Sequence, residues 1–236
     1  MRSAHELPPG QRAIEGFPRF GTHLHEPPPL VPADPGIEVG GAVTAPLSLS
    51  LAGVSALGRR ELSADFHCVG GWSATGLRWE GVAFETVYRK LIEPVVRPGA
   101  SITHVVFVGL DGFSSYMRIE DALAEDVIIG DRLDGRPLDA DHGAPVRLVA
   151  PSHYGFINTK HLCRIELCTS EPREYGSASR AATVGLRLLG YRRLPRARVW
   201  EEERHPFLPA WAIRLVGRVI NPQIGLLSAR GRRTGD

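Results

Sequence analysis

The sequence contains few cysteines, little net charge and no long apolar run. Three cysteines in 236 residues are too few for a disulfide framework. A formal net charge of +2 gives no electrostatic reason to expect nucleic acid as the main partner, because nucleic-acid binders carry a concentrated basic stripe. No apolar run reaches the ~18 residues of a membrane-spanning helix, and no apolar core of a secretory signal is visible. The composition therefore predicts a soluble cytoplasmic protein with one sizeable domain.

Several catalytic signatures are also missing. There is no glycine-rich phosphate loop of the Walker type and no strand–GxGxxG–helix pattern for a dinucleotide. No serine, histidine and aspartate follow one another in an order that supports hydrolysis. These absences give no support to nucleotide hydrolysis, dinucleotide-dependent dehydrogenation or serine-type hydrolysis.

The N-terminal region, residues 1–41, is rich in proline and glycine. Proline fixes φ and removes a backbone donor, so the region is predicted to be an extended arm rather than helix or sheet. This arm contains His23, His25 and Glu26, and it is either a loose tail or a segment that wraps the domain and closes a site. Ordered structure is predicted to begin near Ile37.

The rest of the chain divides into a domain, residues 42–170, and an Arg-rich extension of unassigned role, residues 171–236. Short strands and short helices follow each other irregularly in the domain, which favours an α+β fold over a regular βαβ repeat. In the extension, residues 209–220 have the pattern of a basic amphipathic helix. Strands are predicted at 47–51, 102–110, 127–130, 145–150 and 162–167, helices at 84–92 (closed by Pro94) and 119–124, and turns at 111–112 and 134–135.

One cysteine, Cys68, lies between an apolar strand-like segment and two glycines, Gly70 and Gly71. Glycines let the backbone approach a bound group closely, and thiolate is the soft donor that a protein offers to a soft metal. Cys68 is therefore either a metal ligand or a buried free cysteine that acts as a small hydrophobe. Cys163 and Cys168 are separated by an odd number of strand positions, so their thiols point in opposite directions and both are interpreted as structural.

Polar side chains cluster between residues 141 and 160. His142 and Arg147 enter a predicted strand, and a loop of polar and aromatic groups leaves it and ends at Lys160. Arginine, lysine, backbone N–H groups and hydroxyls that converge after a strand are the groups that a phosphate requires. The alternative is that both cations are ordinary solvated side chains. The turn at Asp111 is either a strand-to-turn junction capped by hydroxyls or a loop that lines a pocket.

Taken together, these segments resemble the molybdopterin-binding oxidoreductase domain of the sulfite oxidase family, and most closely its short bacterial members. Each segment alone is a weak signal, but they follow the family's order from about residue 37 to residue 167. The matching segments are residues 41–46, 65–73, 79–82, 109–115, 120–123, 132–138, 142–148 and 151–160.

The resemblance implies a sulfite oxidase-like α+β fold of mixed sheets or a barrel with short helices, and a molybdenum–molybdopterin cofactor. It implies that Cys68 is the single protein thiolate on molybdenum, the other sulfurs coming from the pterin dithiolene. The implied contacts to the pterin and its phosphate are His142, Arg147, Asn158, Thr159 and Lys160, with His25, Glu26 and Gly109 at less closely matched positions.

Three positions depart from the bacterial methionine sulfoxide reductase branch of the family. His142 stands where that branch has asparagine, and Gly109 stands where it has threonine, so one side-chain bond is lost. Residues 22–26 align with an Asn-x-x-Tyr-Glu contact in that branch's arm, and only Glu26 is identical. The resemblance favours the arm as a partial cover of the site over the loose tail.

The implied chemistry is oxygen-atom transfer, with electrons exchanged through a separate protein because no haem module is present. Animal and plant sulfite oxidases carry arginines soon after the ligand cysteine, whereas the first basic residue after Cys68 is Arg78. This difference favours reduction of a sulfoxide or N-oxide in a pocket to which we assign Trp72, Asp111 and Tyr154.

Two alternatives stay open at this point. One is a non-catalytic chain that binds the cofactor or a partner, acting through its basic C-terminal extension. The other is a sulfite-type oxidase. No twin-arginine signal is visible, which agrees with the expected cytoplasmic location.

Overall fold

The computed structural model describes residues 7–8, 11–19, 27–172 and 196–200. Three short α-helices stand among eleven strands in these residues, so the α+β prediction is confirmed. The strands are β1 Arg12–Ile14, β2 Gly36–Gly41, β3 Leu47–Ser50, β4 Arg60–His67, β5 Trp72–Ala83, β6 His104–Gly109, β7 Ser114–Arg118, β8 Ile128–Leu133, β9 Arg136–Pro137, β10 Arg147–Val149 and β11 Leu162–Cys168. The helices are α1 Leu51–Ser55, α2 Phe84–Val87 and α3 Ile119–Ala122.

The longest strand, β5, is the centre of the first sheet. It pairs antiparallel with β4 along most of its length. Its first residues also pair in parallel with β1, and its last residues pair antiparallel with β8. The strands β9 and β10 both pair with β8. The turn from β4 to β5, which contains Cys68, therefore lies where three strands meet.

The second sheet has the order β3-β2-β11-β6-β7. Its β2 and β11 run parallel, and the other neighbours are antiparallel. The mixed sheets predicted from the resemblance are confirmed, and neither sheet closes into a barrel within the described residues. Among those same residues, no helix has both the length and the apolar character needed to cross a membrane.

Alternate residues of the second sheet form one side of the main core, together with residues of α2, β8, β10 and the connecting loops. Phe107 pairs with Ile165, and Val105 pairs with Leu167, and all four side chains are buried. Burying each such side chain contributes roughly 1.5–3 kcal/mol to folding. A second, smaller apolar cluster lies around the β4–β5 turn and contains Cys68. The cysteine is thus packed apart from the main core of the protein.

Most predicted elements are confirmed, with ends shifted by a few residues. The helix predicted at 84–92 begins at Phe84 but changes form along its length. It continues from α2 into a π-helical turn, Tyr88–Ile92, and a 3₁₀ turn, Glu93–Val95. Pro94 has no N–H to donate to the carbonyl of Lys90, so the regular α-helical bonding pattern cannot continue through this position.

The prediction that the arm, residues 1–41, contains no sheet is wrong at its end, where Gly36–Gly41 form β2, and it is wrong for Arg12–Ile14. These residues form β1 and pair in register with Trp72–Ala74. A strand of three residues is too short to show the alternation that predicts strands, and its pairing depends on a free edge of β5. The arm is therefore joined to the domain by backbone hydrogen bonds.

Five residues of the C-terminal extension, 196–200, lie against the domain. Asp121 is buried and accepts hydrogen bonds from the guanidinium groups of Arg196 and Arg198. Burial alone raises the pKa of Asp121, but the nearby His153 and the bonds from both arginines outweigh it and hold the pKa well below its usual range. The predicted helix at 209–220 lies outside the described residues.

We expect that Gly81→Ala lowers the free energy of unfolding by roughly 3 kcal/mol. A Cβ built on Gly81 would lie 2.1 Å from the Ile129 carbonyl oxygen of the neighbouring strand β8, so β5 and β8 would have to separate. Urea denaturation measures the change. Gly40→Ala is the matched control, because Gly40 also lies in a strand and has nothing within 4 Å of an added Cβ. Equal stability of the two variants would contradict this close packing.

Candidate active site

The turn between β4 and β5 holds the Cys68 thiol next to a backbone donor. The Cys68 N–H donates to the Trp72 carbonyl over 2.8 Å, and the Gly71 N–H donates to the Cys68 carbonyl over 3.0 Å. Gly71 has φ +90°, in the left-handed region that favours glycine. The Gly70 N–H lies 3.3 Å from Cys68 Sγ and donates to it. Because a donor stabilises negative charge on sulfur, this N–H is placed to support a sulfur that binds a metal.

Aromatic rings surround this turn. Trp72 and Trp79 are almost fully buried in the same cluster as Cys68, and the ring centre of Phe66 lies 5.7 Å from that of Trp72. Phe17 reaches in from the arm, with ring centres 4.8 Å from Phe66 and 5.8 Å from Trp79. The thiol therefore lies in a largely apolar and aromatic environment that includes part of the arm.

Arg147 is a buried cation whose guanidinium is held by backbone carbonyls. Its guanidinium donates to the carbonyls of His142 and Asn158, each over 3.0 Å, and to that of Leu148 over 3.3 Å. Within the described residues no carboxylate lies within 4.0 Å of it. Its guanidinium carbon lies 5.2 Å from the ring centre of Trp79. Burial lowers the pKa of Arg147 to about 9, so the interpretation as an ordinary solvated cation is wrong for this residue.

Lys160 lies beside Arg147, and both side chains pack against Gly143. A Cβ built on Gly143 would lie 3.0 Å from Lys160 Cβ and 3.2 Å from Arg147 Cβ. The Lys160 ammonium donates to the Asp141 carbonyl over 2.8 Å. Burial, together with the charges of Arg147 and Arg19, lowers the pKa of Lys160 to about 7. Buried Arg19, whose Nε lies 3.8 Å from an Asp141 carboxylate oxygen, brings a third cation to this region.

The lowered pKa of Lys160 predicts that the cofactor-free chain becomes more stable as the pH rises from about 7 to about 10.5. Over this range the unfolded chain holds a proton on Lys160 that the folded chain releases, so raising the pH favours folding. Urea denaturation at several pH values measures this rise, and Lys160→Met should remove its share. The matched control is Lys90→Met, which replaces the chain's other, exposed lysine. Parallel stability curves for the wild type and Lys160→Met would contradict the prediction.

His142 joins the arm to this cationic region. Its Nδ1 lies 2.7 Å from an Asp139 carboxylate oxygen, and its Nε2 lies 2.7 Å from the Phe17 carbonyl oxygen. Both partners are acceptors, so both bonds form only when each ring nitrogen carries a proton. Burial raises the pKa of Asp139, but the contacts with His142 outweigh it and lower the pKa overall. His142 therefore places its ring between the arm and Arg147, with an acceptor at each ring nitrogen.

The side chains of Asn158 and Thr159 are bonded within the protein. The Asn158 amide accepts from the Ala150 N–H over 2.7 Å, and the Thr159 hydroxyl lies 2.7 Å from the Ser115 hydroxyl. Both are buried, so they shape the loop that carries Arg147 and Lys160. Gly109 packs against this loop, since an added Cβ would lie 2.4 Å from the Lys160 carbonyl oxygen. Their direct contact with a cofactor stays a prediction.

The three residues assigned to the substrate pocket lie in different parts of the fold. Trp72 lies in the Cys68 cluster. Tyr154 lies in the main core, and its hydroxyl donates to the Val199 carbonyl over 3.5 Å. Asp111 accepts from the Phe113 N–H over 3.0 Å and shapes its own turn. Of the three, Trp72 is the one whose position next to Cys68 supports the assignment.

The other two cysteines lie on β11 as free thiols. Cys163 Sγ donates to the Val108 carbonyl over 3.5 Å. Burial raises the pKa of both Cys163 and Cys168, which disfavours their thiolates. Cys68 differs from them in lying in a glycine turn, where the Gly70 N–H donates to its sulfur.

Sequence reasoning missed three residues of the site: Phe17, Arg19 and His161. Buried His161 has φ +52°, unusual for a residue other than glycine, and its Nδ1 donates to the Ala144 carbonyl over 2.6 Å. Burial lowers the pKa of His161. The sequence around His161 has no pattern that predicts a left-handed backbone. The proline-rich composition of the arm predicted an extended segment and gave no sign that Phe17 and Arg19 pack against the domain. The predicted arm contacts His25 and Glu26 lie outside the described residues.

These residues fit an anionic pterin group that carries a soft metal. In the part of the chain that the structure describes, Arg147 is buried with no carboxylate within 4.0 Å. Lys160 and Arg19 lie beside it, and such a set of cations suits a phosphate. The Cys68 turn supplies a sulfur with its own N–H donor for the metal. Phe66 connects the two parts, since its ring lies 5.9 Å from the Arg147 guanidinium and packs in the Cys68 cluster.

Comparison with known proteins supports the same interpretation. The model of the oxidoreductase molybdopterin binding domain matches residues 25–176. The uncharacterized oxidoreductase YuiH of Bacillus subtilis is 30% identical over 68% of this chain and 78% of its own length. The methionine-sulfoxide reductase catalytic subunit MsrP of Xanthomonas axonopodis is 28% identical over 59% of this chain and 49% of its own length.

More distant relatives agree on the fold. Mitochondrial sulfite oxidase of Drosophila melanogaster is 28% identical over 64% of this chain and 30% of its own length. The crystal structure of the sulfane dehydrogenase SoxCD from Paracoccus pantotrophus superposes with a TM-score of 0.50 at 19% identity, covering 58% of this chain and 38% of that one. This likeness confirms the fold predicted from the sequence. The chain spans about half the length of the MsrP subunits that it matches.

Proposed function

Because the chain belongs to the oxidoreductase molybdopterin-binding family, we propose that it reduces a small sulfoxide or N-oxide with electrons from a separate carrier protein. In this reaction the S–O or N–O bond breaks, and the oxygen leaves as water after uptake of two electrons and two protons. The molybdenum–molybdopterin cofactor of the family supplies the oxygen-atom transfer and the change of metal oxidation state. The remaining tasks belong to the side chains of this chain.

Each part of the site has one task in this proposal. Cys68 holds the metal through its thiolate, and the Gly70 N–H stabilises the charge on that sulfur. Arg147 and Lys160 bind the phosphate of the pterin, where low solvent exposure strengthens their attraction for an anion. His142 joins the arm to the cationic region through its contacts with Asp139 and the Phe17 carbonyl.

The environment of Cys68 is the observation that carries the choice of substrate. The rings of Trp72, Phe66 and Phe17 pack in its cluster. The Arg147 guanidinium, which lies over the Phe17 and Phe66 rings, is bonded to the carbonyls of His142 and Asn158 and is assigned to the pterin phosphate. The first arginine after Cys68 is Arg78, and this residue is exposed on β5. A dianion such as sulfite needs nearby cations, whereas a neutral sulfoxide or N-oxide is bound well by aromatic rings with few polar groups.

A paired assay tests the direction of the reaction. The chain is purified from cells that synthesise molybdopterin, and its molybdenum and pterin contents are measured. Oxidation of a reduced viologen dye is then followed with methionine sulfoxide, dimethyl sulfoxide and trimethylamine N-oxide, and sulfite oxidation is followed with ferricyanide. We expect turnover with at least one of the first three and little with sulfite. Rapid sulfite oxidation would overturn the choice of substrate, and bound cofactor without any turnover would favour a non-catalytic role.

The electron carrier and the location are part of the same proposal. The relatives named as catalytic subunits support a separate electron-transfer partner. We propose that the protein acts in the cytoplasm of a bacterial cell, and cell fractionation with an antibody against the chain tests this location.

A further inference from the structure

Gln11 of the arm contacts the Cys68 turn across 57 residues of sequence. Its Nε2 donates to the Cys68 carbonyl over 3.0 Å, and its Oε1 accepts from the Ser73 hydroxyl over 3.2 Å. Ser73 is fully buried, and its hydroxyl oxygen lies 2.8 Å from His67 Nδ1. One side-chain amide therefore connects both ends of the turn that carries the cysteine.

The direction of these bonds follows from the groups themselves. The Cys68 carbonyl is only an acceptor, so the amide nitrogen of Gln11 faces it and the amide oxygen faces Ser73. The Ser73 hydroxyl gives its single proton to Gln11, and His67 Nδ1 therefore donates to Ser73. The relay runs from His67 through Ser73 and Gln11 to the carbonyl of Cys68. No bond in this relay can be reversed without placing two acceptors against each other.

Backbone pairing holds Gln11 in place. The next residue, Arg12, donates its N–H to the Gly71 carbonyl over 3.1 Å and begins β1, which pairs with Trp72–Ala74. Farther along the arm, Phe17 packs on Phe66 and bonds His142 through its carbonyl. We call residues 11–19 the strap. It is anchored at the cysteine turn at one end and at the cationic region at the other.

We propose that Gln11 is a positioning residue that sets the geometry of the Cys68 turn and of its N–H···S bond. The Cys68 carbonyl accepts from Gln11 and from the Gly71 N–H, so the bond from Gln11 restrains the turn in which the intervening Gly70 N–H is held against the sulfur. Hydrogen bonds to a ligand sulfur tune the metal that it holds. This role rests on the proposed function for its effect on the metal, but the effect on the turn is independent of any cofactor.

Two variants of Gln11 test the proposal. Gln11→Glu keeps the size and the acceptor for Ser73 but places a carboxylate oxygen against the Cys68 carbonyl, and Gln11→Ala removes both bonds. In the cofactor-free chain, we expect amide hydrogen exchange in the peptide spanning residues 68–73 to be roughly tenfold faster in both variants. The control is Glu15→Gln, an exposed strap residue outside the relay, whose exchange should match the wild type.

The cofactor-loaded protein gives a second readout. We expect Gln11→Glu to change the g-values of the Mo(V) electron paramagnetic resonance signal and to lower turnover by about 10–100-fold, the range for residues that orient a metal ligand. Unchanged exchange at residues 68–73 in folded Gln11→Glu would overturn the proposal, and so would Mo(V) signals identical to those of the wild type. If the Gln11→Ala variant does not fold, the near-isosteric Gln11→Glu variant still tests the proposal. A wild-type chain without molybdenum would overturn the proposed function instead, while the exchange result would still test the role of Gln11.

Discussion

Cys68→Ser is expected to lose more than about a hundredfold in oxygen-atom transfer, a larger loss than the 10–100-fold typical of residues that only orient a ligand. A serine hydroxyl is a hard, weakly acidic donor, so it does not replace a soft thiolate on molybdenum. The Gly70 N–H would then face a neutral hydroxyl in place of a charged sulfur. Turnover with a reduced viologen dye and the sulfur-to-metal charge-transfer absorption both measure the loss.

Cys163→Ser is the matched control for this variant. Its thiol donates to the Val108 carbonyl, and a serine hydroxyl preserves that bond. The substitution should therefore leave turnover and absorption close to wild type. Thermal unfolding of both variants separates a loss of ligand from a loss of fold. Wild-type turnover in folded Cys68→Ser would exclude Cys68 as the metal ligand.

Arg147→Gln is expected to weaken retention of the pterin cofactor by roughly 10–150-fold, since a hydrogen bond to a charged group is worth about 1.5–3 kcal/mol. The guanidinium is buried with a pKa lowered to about 9, so bringing a phosphate to it relieves an unfavourable buried charge. Arg147→Lys keeps the charge, but a single ammonium lacks the planar fork that reaches the His142 and Asn158 carbonyls together. We expect it to give an intermediate loss. Pterin fluorescence that remains after dialysis measures retention.

Arg132→Gln removes the same charge at a different place in the same sheet. Arg132 lies on β8 with an exposed guanidinium 4.0 Å from Glu80, and such surface pairs contribute about 0–1 kcal/mol. Its cofactor retention should equal that of the wild type. A comparable loss of pterin from the two variants would show that retention follows the total charge. Wild-type retention of pterin in both variants would exclude Arg147 from the pterin site.

The elements that were predicted correctly are those with a strong local pattern. The β-branched run of β6 and the alternating residues of β3 are visible in a short window because burial repeats with the period of a strand. The turn at Asp134 and Gly135, both with positive φ, follows from turn chemistry alone. By contrast, β1 is too short to carry a period. It forms because an edge of β5 is free to pair with it. A short stretch of sequence around β1 does not include that edge.

The candidate site shows the same division. Cys68 and its glycines stand together in the sequence, so a thiol in a permissive turn was visible before any fold was known. Arg147 and Lys160 were visible as cations, but their burial was not, because burial depends on how distant segments close over them. Tyr154 was assigned to the substrate pocket on its place in a motif, and the structure turns its hydroxyl toward Val199 instead.

By itself, the sequence determined the α+β class, the family resemblance and Cys68 as the candidate metal ligand, because each rests on neighbouring residues or on segments in a fixed order. Only the tertiary structure decided that Arg147 is desolvated, that Phe17 and Arg19 reach the site, and that Gln11 bonds the cysteine turn. The physical reason is that hydrogen bonds and desolvation act over a few ångströms in space. Contacts made across 57 residues, as between Gln11 and Cys68, form only when the chain has folded.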